Sequence, residues 1–178
     1  MNPITLKDKS FEVFIPETEI AAIVHSMANA INNTGMKNPL FIAVMNGAFL
    51  FAADVMRKIT IPGAEISFIK LSSYSGTETT GKVNQLIGIG GNISGRNIVI
   101  LEDIIDTGIT LEKIMSLLEK EEVADIKVAT LLFKPKAYKK EIEIDFIGKS
   151  IPNDFVVGYG LDYDEIGRNL PHIYKLKE

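Results

Sequence analysis

Residues 97–110 read NIVILEDIIDTGIT, and this stretch predicts both the fold class and the position of the functional site. The segment at 97–101, apolar from Ile98 onward, is typical of a strand that is buried on both faces of a parallel sheet. Glu102 and Asp103 follow this run directly, so we expect two carboxylates at the carboxyl end of the strand, where such sheets bind ligands. A carboxylate pair beside a buried strand is costly unless something compensates it, which favours a functional role.

The turn after this strand has the composition of an anion-binding loop. Residues Asp106, Thr107, Gly108, Ile109 and Thr110 lead into an amphipathic helix predicted at 110–122. The free N–H groups and the positive end of a helix favour an anion, above all phosphate, and a glycine allows close approach. A plain strand–turn–helix with Thr110 as the N-cap would explain Asp106 and Thr110, but it would not explain the acidic pair. The residues themselves therefore predict a site for a phosphorylated sugar or a nucleotide.

Outside this stretch, apolar patterns alternate between those of helices and those of strands. Helices are predicted at 17–31 and after the turn at 46–48, and strands at 39–45, 64–74, 126–134, 144–151 and 154–161. This alternation predicts an α/β fold with a mostly parallel twisted sheet flanked by helices. The last strands follow one another closely, which favours a small antiparallel appendage. Residues 75–85 are polar and lack periodicity, as functional loops often do.

Composition excludes several classes of protein. The chain has 178 residues, which suits one domain, and its net charge of −4 argues against a nucleic-acid partner. The absence of cysteine excludes disulfides and thiol nucleophiles. No apolar run reaches the roughly 18–20 residues of a membrane span, and the N-terminus lacks the apolar core of a signal peptide, so we expect a cytoplasmic protein. His25 and His172 have no spacing typical of a metal site or a catalytic triad.

The strand, the acidic pair and the D-T-G-x-T turn together resemble the signature of the type I phosphoribosyltransferases, which bind phosphoribosyl pyrophosphate (PRPP). Three further segments resemble the hypoxanthine/guanine branch of that family: MNGA at 45–48, LSSY at 71–74, and DFVVGYGLDY at 154–163, which Arg168 follows. The resemblance covers roughly residues 10–175. It implies a single domain over residues 1–178, with a parallel core at roughly 17–145. A small hood would come from the N-terminal segment and roughly residues 146–178.

The resemblance implies a purine salvage enzyme that transfers the phosphoribosyl group of PRPP to N9 of hypoxanthine, and also of guanine, with Mg²⁺ as the cofactor. Glu102 and Asp103 would hold the ribose hydroxyls and Mg²⁺, and residues 106–110 would bind the 5′-phosphate. Asp106 would be the general base at N7 of the purine in synthesis and the general acid in the reverse direction. The remaining implied residues are Lys134 at the 6-oxo group, Phe155 stacked on the base, Val156 at its edge, Asp162 near the base and a second Mg²⁺, and Arg168 on pyrophosphate.

The resemblance also implies two loops on the pyrophosphate side of the site. Met45, Asn46 and Gly47 would form the pyrophosphate loop with a cis peptide between the first two, and residues 73–85, led by Ser73 and Tyr74, would form a mobile lid. Two positions depart from the family pattern, because Asn46 stands where lysine is common and Ile109 where a basic residue is frequent. Because of these two departures, the part of the site that would bind pyrophosphate carries less positive charge than is usual in the family.

Two alternatives remain open from the sequence. One is a sister enzyme that prefers xanthine, and the other is a non-catalytic PRPP-binding regulator, which could dispense with Asp106 and the hood residues. Family members are usually dimers or tetramers, so we expect a homodimer or a homotetramer.

Overall fold

The computed structural model describes residues 3–71, 85–87 and 91–177. Its strands in chain order are β1 (Ile4–Leu6), β2 (Lys9–Ile15), β3 (Leu40–Val44), β4 (Glu65–Leu71), β5 (Gln85–Ile87), β6 (Asn97–Ile105), β7 (Asp125–Phe133), β8 (Phe146–Ser150), β9 (Val156–Val157) and β10 (Ile173–Leu176). The helices are α1 (Glu17–Asn32), α2 (Phe49–Met56) and α3 (Ile109–Leu118), and a short 3₁₀ turn (Glu119–Glu121) follows α3. Within the described ranges, no helix combines the length and the apolar character that crossing a membrane requires.

The larger sheet has the order β5-β4-β3-β6-β7-β8, and all of its described pairings are parallel except that of β5 with β4. Its two faces carry separate apolar clusters. On β3, Phe41 and Ala43 pack in the cluster that holds α1 and α2, while Ile42 and Val44 pack in the cluster that holds α3. Because successive side chains of a strand point to opposite faces, a continuous apolar run is what a sheet covered on both faces requires. The predicted α/β fold is confirmed.

The acidic pair lies within β6 rather than after it. The sequence predicted that the strand ends near Glu102, whereas β6 continues to Ile105. Leu101 and Ile104 both pack in the cluster that holds α1 and α2, although they are three residues apart. The alternation of faces therefore changes phase at Glu102 and Asp103, and this local shift is not visible in the hydrophobic pattern.

A second, antiparallel sheet with the order β1-β2-β10-β9 forms the hood. It encloses its own small core of Phe11, Val157 and Tyr174. The Tyr159 hydroxyl donates to Asp54 Oδ2 on α2 at 2.7 Å, which ties the hood to the main domain core.

A second tie is made by His172, whose Nδ1 accepts a hydrogen bond of 3.0 Å from the backbone N–H of Glu17. Glu17 is the first residue of α1, so the imidazole satisfies one of the N–H groups that a helix start leaves without an intrahelical partner. His172 thus has a structural contact, in line with the absence of any catalytic spacing.

Two predictions about the chain ends are wrong in detail. The segment at 154–161 is not one strand: only Val156 and Val157 are extended, and left-handed φ angles of 97°, 50° and 99° at residues 158–160 turn the chain. Residues 146–150, assigned to the hood, form β8 and pair in parallel with β7 in the larger sheet. The N-terminal segment, also assigned to the hood, lies there as predicted and contributes β1 and β2 to its sheet. The predicted helix at 110–122 begins at Ile109 and ends at Leu118.

Candidate active site

The loop between β6 and α3 encloses a cavity of about 90 Å³ lined by Glu102 and residues 104–111. Gly108 directly precedes the first helical residue and has a φ of 82°, a conformation that favours glycine. A Cβ at this position would lie 2.5 Å from Cε2 of Tyr138, so the packing also requires glycine. Gly108 rather than Thr110 occupies the N-cap position. The cavity therefore sits against the first, unpaired N–H groups of α3, where an anion is favoured.

Next to this loop, Asp106 and Lys134 form a close pair. Lys134 Nζ lies 3.1 Å from Asp106 Oδ2, and the lysine side chain is 10% exposed while that of the aspartate is 48% exposed. Parallel pairing of β6 with β7 brings the two residues together, since the N–H of Lys134 donates to the carbonyl of Ile105 at 3.0 Å. The pair presents one acidic and one basic group side by side at the carboxyl edge of the sheet.

The acidic pair is held in a poorly compensated environment. Glu102 is 4% exposed, and burial, with the nearby Asp103 carboxylate, raises its pKa well above the usual range. Burial likewise raises the pKa of Asp103 to about 6, against the opposing effects of backbone hydrogen bonds and of Arg168. Carboxylates that are paired with cations show the opposite shift. These two groups are therefore set up to accept hydrogen bonds or a cation from a ligand.

The turn after β3 closes over the acidic pair. The Met45–Asn46 peptide is cis, as the resemblance implied. A Cβ on Gly47 would overlap with the carboxylate of Asp103, and a Cβ on Gly160 in the hood would overlap with the carbonyl oxygen of Gly47. The Asp103 side chain thus lies directly against the backbone of Gly47, and Gly160 lies against the carbonyl of Gly47, which positions the hood over the edge of the sheet.

A cavity of about 310 Å³ brings the two loops and the acidic pair together. Its lining residues are Val44, Met45, Gly47, Leu71, Glu102, Asp103, Ile104, Thr110 and Lys113. It shares Glu102, Ile104 and Thr110 with the cavity at the start of α3. The two cavities therefore adjoin along the carboxyl ends of β3 and β6.

The hood supplies a second charged pair. Arg168 Nη2 lies 2.8 Å from Asp162 Oδ1, and Arg168 Nη1 donates to the carbonyl of Gly160 at 2.9 Å. Phe155 keeps 43% of its surface exposed and packs edge-on against Tyr163 at a centroid distance of 5.8 Å. Its neighbour Val156 is 6% exposed in β9.

A family profile described as the phosphoribosyl transferase domain matches residues 16–164. The chain belongs to the phosphoribosyltransferase family. It is 41% identical over 167 residues to the hypoxanthine-guanine phosphoribosyltransferase of Staphylococcus epidermidis, covering 93% of both chains, and 39% identical to that of Staphylococcus aureus. The resemblance drawn from the sequence is confirmed.

Solved phosphoribosyltransferases share the fold of this chain. A hypoxanthine phosphoribosyltransferase from Staphylococcus aureus superposes with a TM-score of 0.85 at 38% identity, covering 93% of this chain and 91% of that one. A hypoxanthine-guanine phosphoribosyltransferase from Bacillus anthracis gives 0.84 at 38% identity, covering 94% and 97%.

For this phosphoribosyltransferase the predicted site residues fall into three groups. The residues of the turn after β3, the acidic pair and residues 106–110 with Lys134 lie along the edge of the larger sheet. Phe155, Val156, Asp162 and Arg168 lie on the hood, which the close approach of Gly160 to Gly47 places above that edge. The predicted lid residues Ser73 and Tyr74 lie outside the described residues.

Two lysines near the site were not predicted from the sequence. Lys113 on α3 lines the larger cavity, and Lys70 Nζ donates to Asn46 Oδ1 at 3.2 Å. A signal for Lys113 was present, because it lies four residues after Ile109 and so on the same face of a helix. Lys70 gives no such signal, since only the pairing of β3 with β4 brings it to Asn46.

Proposed function

We propose that the chain transfers the phosphoribosyl group of PRPP to N9 of hypoxanthine, and also of guanine, and releases the nucleoside monophosphate and pyrophosphate. The relatives named above as hypoxanthine-guanine phosphoribosyltransferases support this over most of the chain. The observation that carries it is the Asp106–Lys134 pair, with 3.1 Å between Oδ2 and Nζ, beside the cavity at the start of α3.

The pair matches one edge of a 6-oxopurine. The 6-oxo oxygen and N7 lie on the same edge of the purine, so a donor and an acceptor about one hydrogen bond apart can bind both. Lys134 donates to the oxygen, and Asp106 accepts the N7 proton as N9 forms its bond to C1 of the ribose. The electrons of the breaking C1–oxygen bond leave with pyrophosphate. In the reverse reaction the same carboxyl group returns the proton to N7.

The other groups hold the sugar phosphate. The first amides of α3 and the hydroxyls of Thr107 and Thr110 bind the 5′-phosphate, and Glu102 and Asp103 accept from the 2′ and 3′ hydroxyls. The raised pKa of each carboxyl group supports this role, since burial outweighs whatever stabilisation the neighbouring groups give to the charged form. Their negative charge also suits the positive character that develops on the ribose.

Mg²⁺ fits the donor set of Glu102 and Asp103, with Asp162 acting through water. Carboxylate oxygens are ligands that Mg²⁺ prefers, and it commonly keeps water and takes few protein ligands. Across residues 3–71 and 91–177, no group of three or more acidic, histidine or cysteine side chains is close enough to hold a metal ion alone. PRPP and water would therefore supply the remaining ligands. When bound, the ion would neutralise negative charge on pyrophosphate.

The base would stack on Phe155, whose exposed ring is supported from behind by Phe11 and Tyr163. The backbone of Val156 would face the edge of the base. A xanthine-preferring enzyme would share these features, and Lys134 would bind its 6-oxo group equally well. A non-catalytic regulator would not need the Asp106–Lys134 pair.

The test is a comparison of initial rates with PRPP and Mg²⁺ against hypoxanthine, guanine, xanthine and adenine. We expect turnover of hypoxanthine and guanine and none of adenine, since a 6-amino group offers Lys134 no acceptor. Turnover of xanthine above the other two would establish the sister enzyme, and no turnover of any 6-oxopurine would contradict the proposal.

A variant pair sharpens the test of the base edge. Lys134→Met should raise the KM for hypoxanthine on the order of 10-fold, because a charge-assisted hydrogen bond is lost, and should leave the KM for PRPP unchanged. Lys136→Met, an exposed lysine two residues away, is the matched control and should change neither constant.

We also propose that the protein assembles as a homodimer or a homotetramer. The exposed apolar residues Phe49, Ile66 and Phe68 on α2 and β4, 37%, 37% and 40% exposed, support a contact between copies. Light scattering coupled to size exclusion measures the mass, and a monomer across micromolar concentrations would contradict this.

A further inference from the structure

The larger cavity has one basic residue among its described lining residues, Lys113, and nothing in the phosphoribosyltransferase signature assigns it a role. The other charged residues lining it are Glu102 and Asp103, both of which raise the negative potential inside it. A cavity of this kind repels pyrophosphate unless a cation opposes the carboxylates. The side chain of Lys113 is therefore in the position where positive charge is needed.

The other cation assigned to pyrophosphate is already engaged. Arg168 bonds to the carbonyl of Gly160, to Asp162 at 2.8 Å and to Glu165 at 3.2 Å. Lys113, in contrast, makes no hydrogen bond or ion pair with another residue among those described, and it is half-buried. Binding an anion would therefore cost Lys113 no existing contact within that part of the chain.

Two positions near this cavity lack a basic side chain, Ile109 on α3 and Asn46 between the lining residues Met45 and Gly47. Ile109 is 50% exposed and lies one helical turn before Lys113, so the two side chains share a face of α3. In the turn after β3 the side chain of Asn46 is uncharged, and its Oδ1 accepts a hydrogen bond from Lys70 Nζ. Neither Ile109 nor Asn46 carries a positive charge, but Lys113, one turn after Ile109 on α3, does.

We propose that Lys113 binds the pyrophosphate group of PRPP and of the product, as an additional cation on the pyrophosphate side of the site. This assignment rests on the proposed function and adds a binding residue to it. The ammonium group opposes the charge of Glu102 and Asp103 and donates to a phosphate oxygen. It leaves the 5′-phosphate to the amides at the start of α3.

The experiment compares Lys113→Met, Lys113→Arg and the control Lys120→Met, an exposed lysine in the 3₁₀ turn after α3. Calorimetry measures the Kd of pyrophosphate with Mg²⁺ and the Kd of IMP, which has a 5′-phosphate but no pyrophosphate. Steady-state rates give the KM for PRPP and for hypoxanthine.

In Lys113→Met we expect the Kd of pyrophosphate and the KM for PRPP to rise on the order of 10-fold, from the loss of one charge-assisted hydrogen bond. The Kd of IMP and the KM for hypoxanthine should stay within about 2-fold, the scale of a remote surface change. Lys113→Arg should restore most of the pyrophosphate affinity, which a merely structural role would not predict, and Lys120→Met should match the wild type.

Unchanged pyrophosphate affinity in Lys113→Met overturns the proposal. An equal loss of IMP affinity also overturns it, because Lys113 would then bind the 5′-phosphate. A wild-type protein that turns over no 6-oxopurine, yet binds pyrophosphate through Lys113, would refute the proposed reaction and leave the anion assignment standing.

Discussion

Replacing Asp103 by asparagine should stabilise the unliganded protein at neutral pH while it weakens the binding of PRPP. Burial raises the pKa of this carboxyl group from an ordinary 3.8 to about 6, so the folded protein holds the proton more tightly than the unfolded chain does. The resulting stability is complete below about pH 4 and is lost as the pH rises through 6. Above pH 7 the ionised group is therefore a net cost to folding.

The size of this cost follows from the shift. Roughly two pKa units at about 1.4 kcal/mol each give an upper limit of about 3 kcal/mol above pH 7. Asp103 is only half-buried, and screening by solvent reduces the expected gain in Asp103→Asn to roughly 1–2 kcal/mol. The gain should be close to zero at pH 4 and should grow between pH 4 and pH 7.

The assay is urea denaturation of the wild type and the variant across pH 4–8, with the free energy of unfolding extrapolated to water. Asp145→Asn is the matched control, since this aspartate also lies at the sheet but is compensated. Its Oδ1 is 2.9 Å from Lys127 Nζ, and its Oδ2 accepts from the N–H of Val128 at 2.8 Å. That variant should lose about 0.5–1 kcal/mol at pH 7.

The same substitution, aspartate to asparagine, should therefore raise the free energy of unfolding at position 103 and lower it at position 145. If Asp103→Asn is no more stable than the wild type at pH 8, or if its gain is the same at pH 4, the raised pKa does not reflect an uncompensated carboxylate. The inference that Asp103 is positioned to accept hydrogen bonds or a cation from a ligand would then fail.

Three further changes test other parts of the structure. Asp106→Asn should lower kcat by roughly 10²–10⁴-fold in steady-state assays while PRPP still binds, and an unchanged kcat would remove Asp106 as the general base. Gly108→Ala should destabilise the protein by roughly 1–3 kcal/mol in thermal unfolding and weaken IMP binding, because of the left-handed backbone and the contact with Tyr138; wild-type IMP affinity would contradict this. Tyr159→Phe should lose about 1 kcal/mol of stability, because its 2.7 Å hydrogen bond to Asp54 ties the hood to α2; an unchanged melting temperature would show that this bond contributes nothing.

The buried carboxylates of Glu102 and Asp103 destabilise the fold when ionised, yet they lie within a stable sheet. Glu102 is buried beside Asp103 and its pKa is raised in the same direction, so both groups oppose folding when they are ionised. The covered sheet of β3, β6 and β7, with apolar clusters on both faces, is large enough to tolerate that cost. The ligand, in our proposal, relieves it through ribose hydroxyls, Mg²⁺ and the cation on α3.

Much of the larger sheet was predictable because its signals are local. The buried strand that begins at residue 97, the glycine turn and the helix after it can each be recognised within a few residues, since strand and helix periodicities act over short distances. The acidic pair and the phosphate loop were predicted for the same reason. The end of β6 was misplaced because the change of phase at Glu102 depends on how β6 packs, which periodicity does not record.

The hood was predicted only in outline, because it depends on contacts between distant parts of the chain. β2 and β10 come from opposite ends of the chain and pair with Phe11 beside Leu176. The short strand β9 lies in a segment whose repeated left-handed residues break any strand periodicity. Neither segment alone indicates which strand it pairs with.

By itself, then, the sequence determined the α/β class, the strand–turn–helix proposed to bind the phosphate, and the residue types of the candidate site, all of which act over a few neighbouring residues. Only the tertiary structure decided that Asp106 meets Lys134, 28 residues away, and that Lys113 faces the acidic pair while Asn46 bonds to Lys70. The physical reason is that backbone hydrogen bonds and hydrophobic periodicity are local, whereas the charge balance of a site is set by the order in which the strands pair.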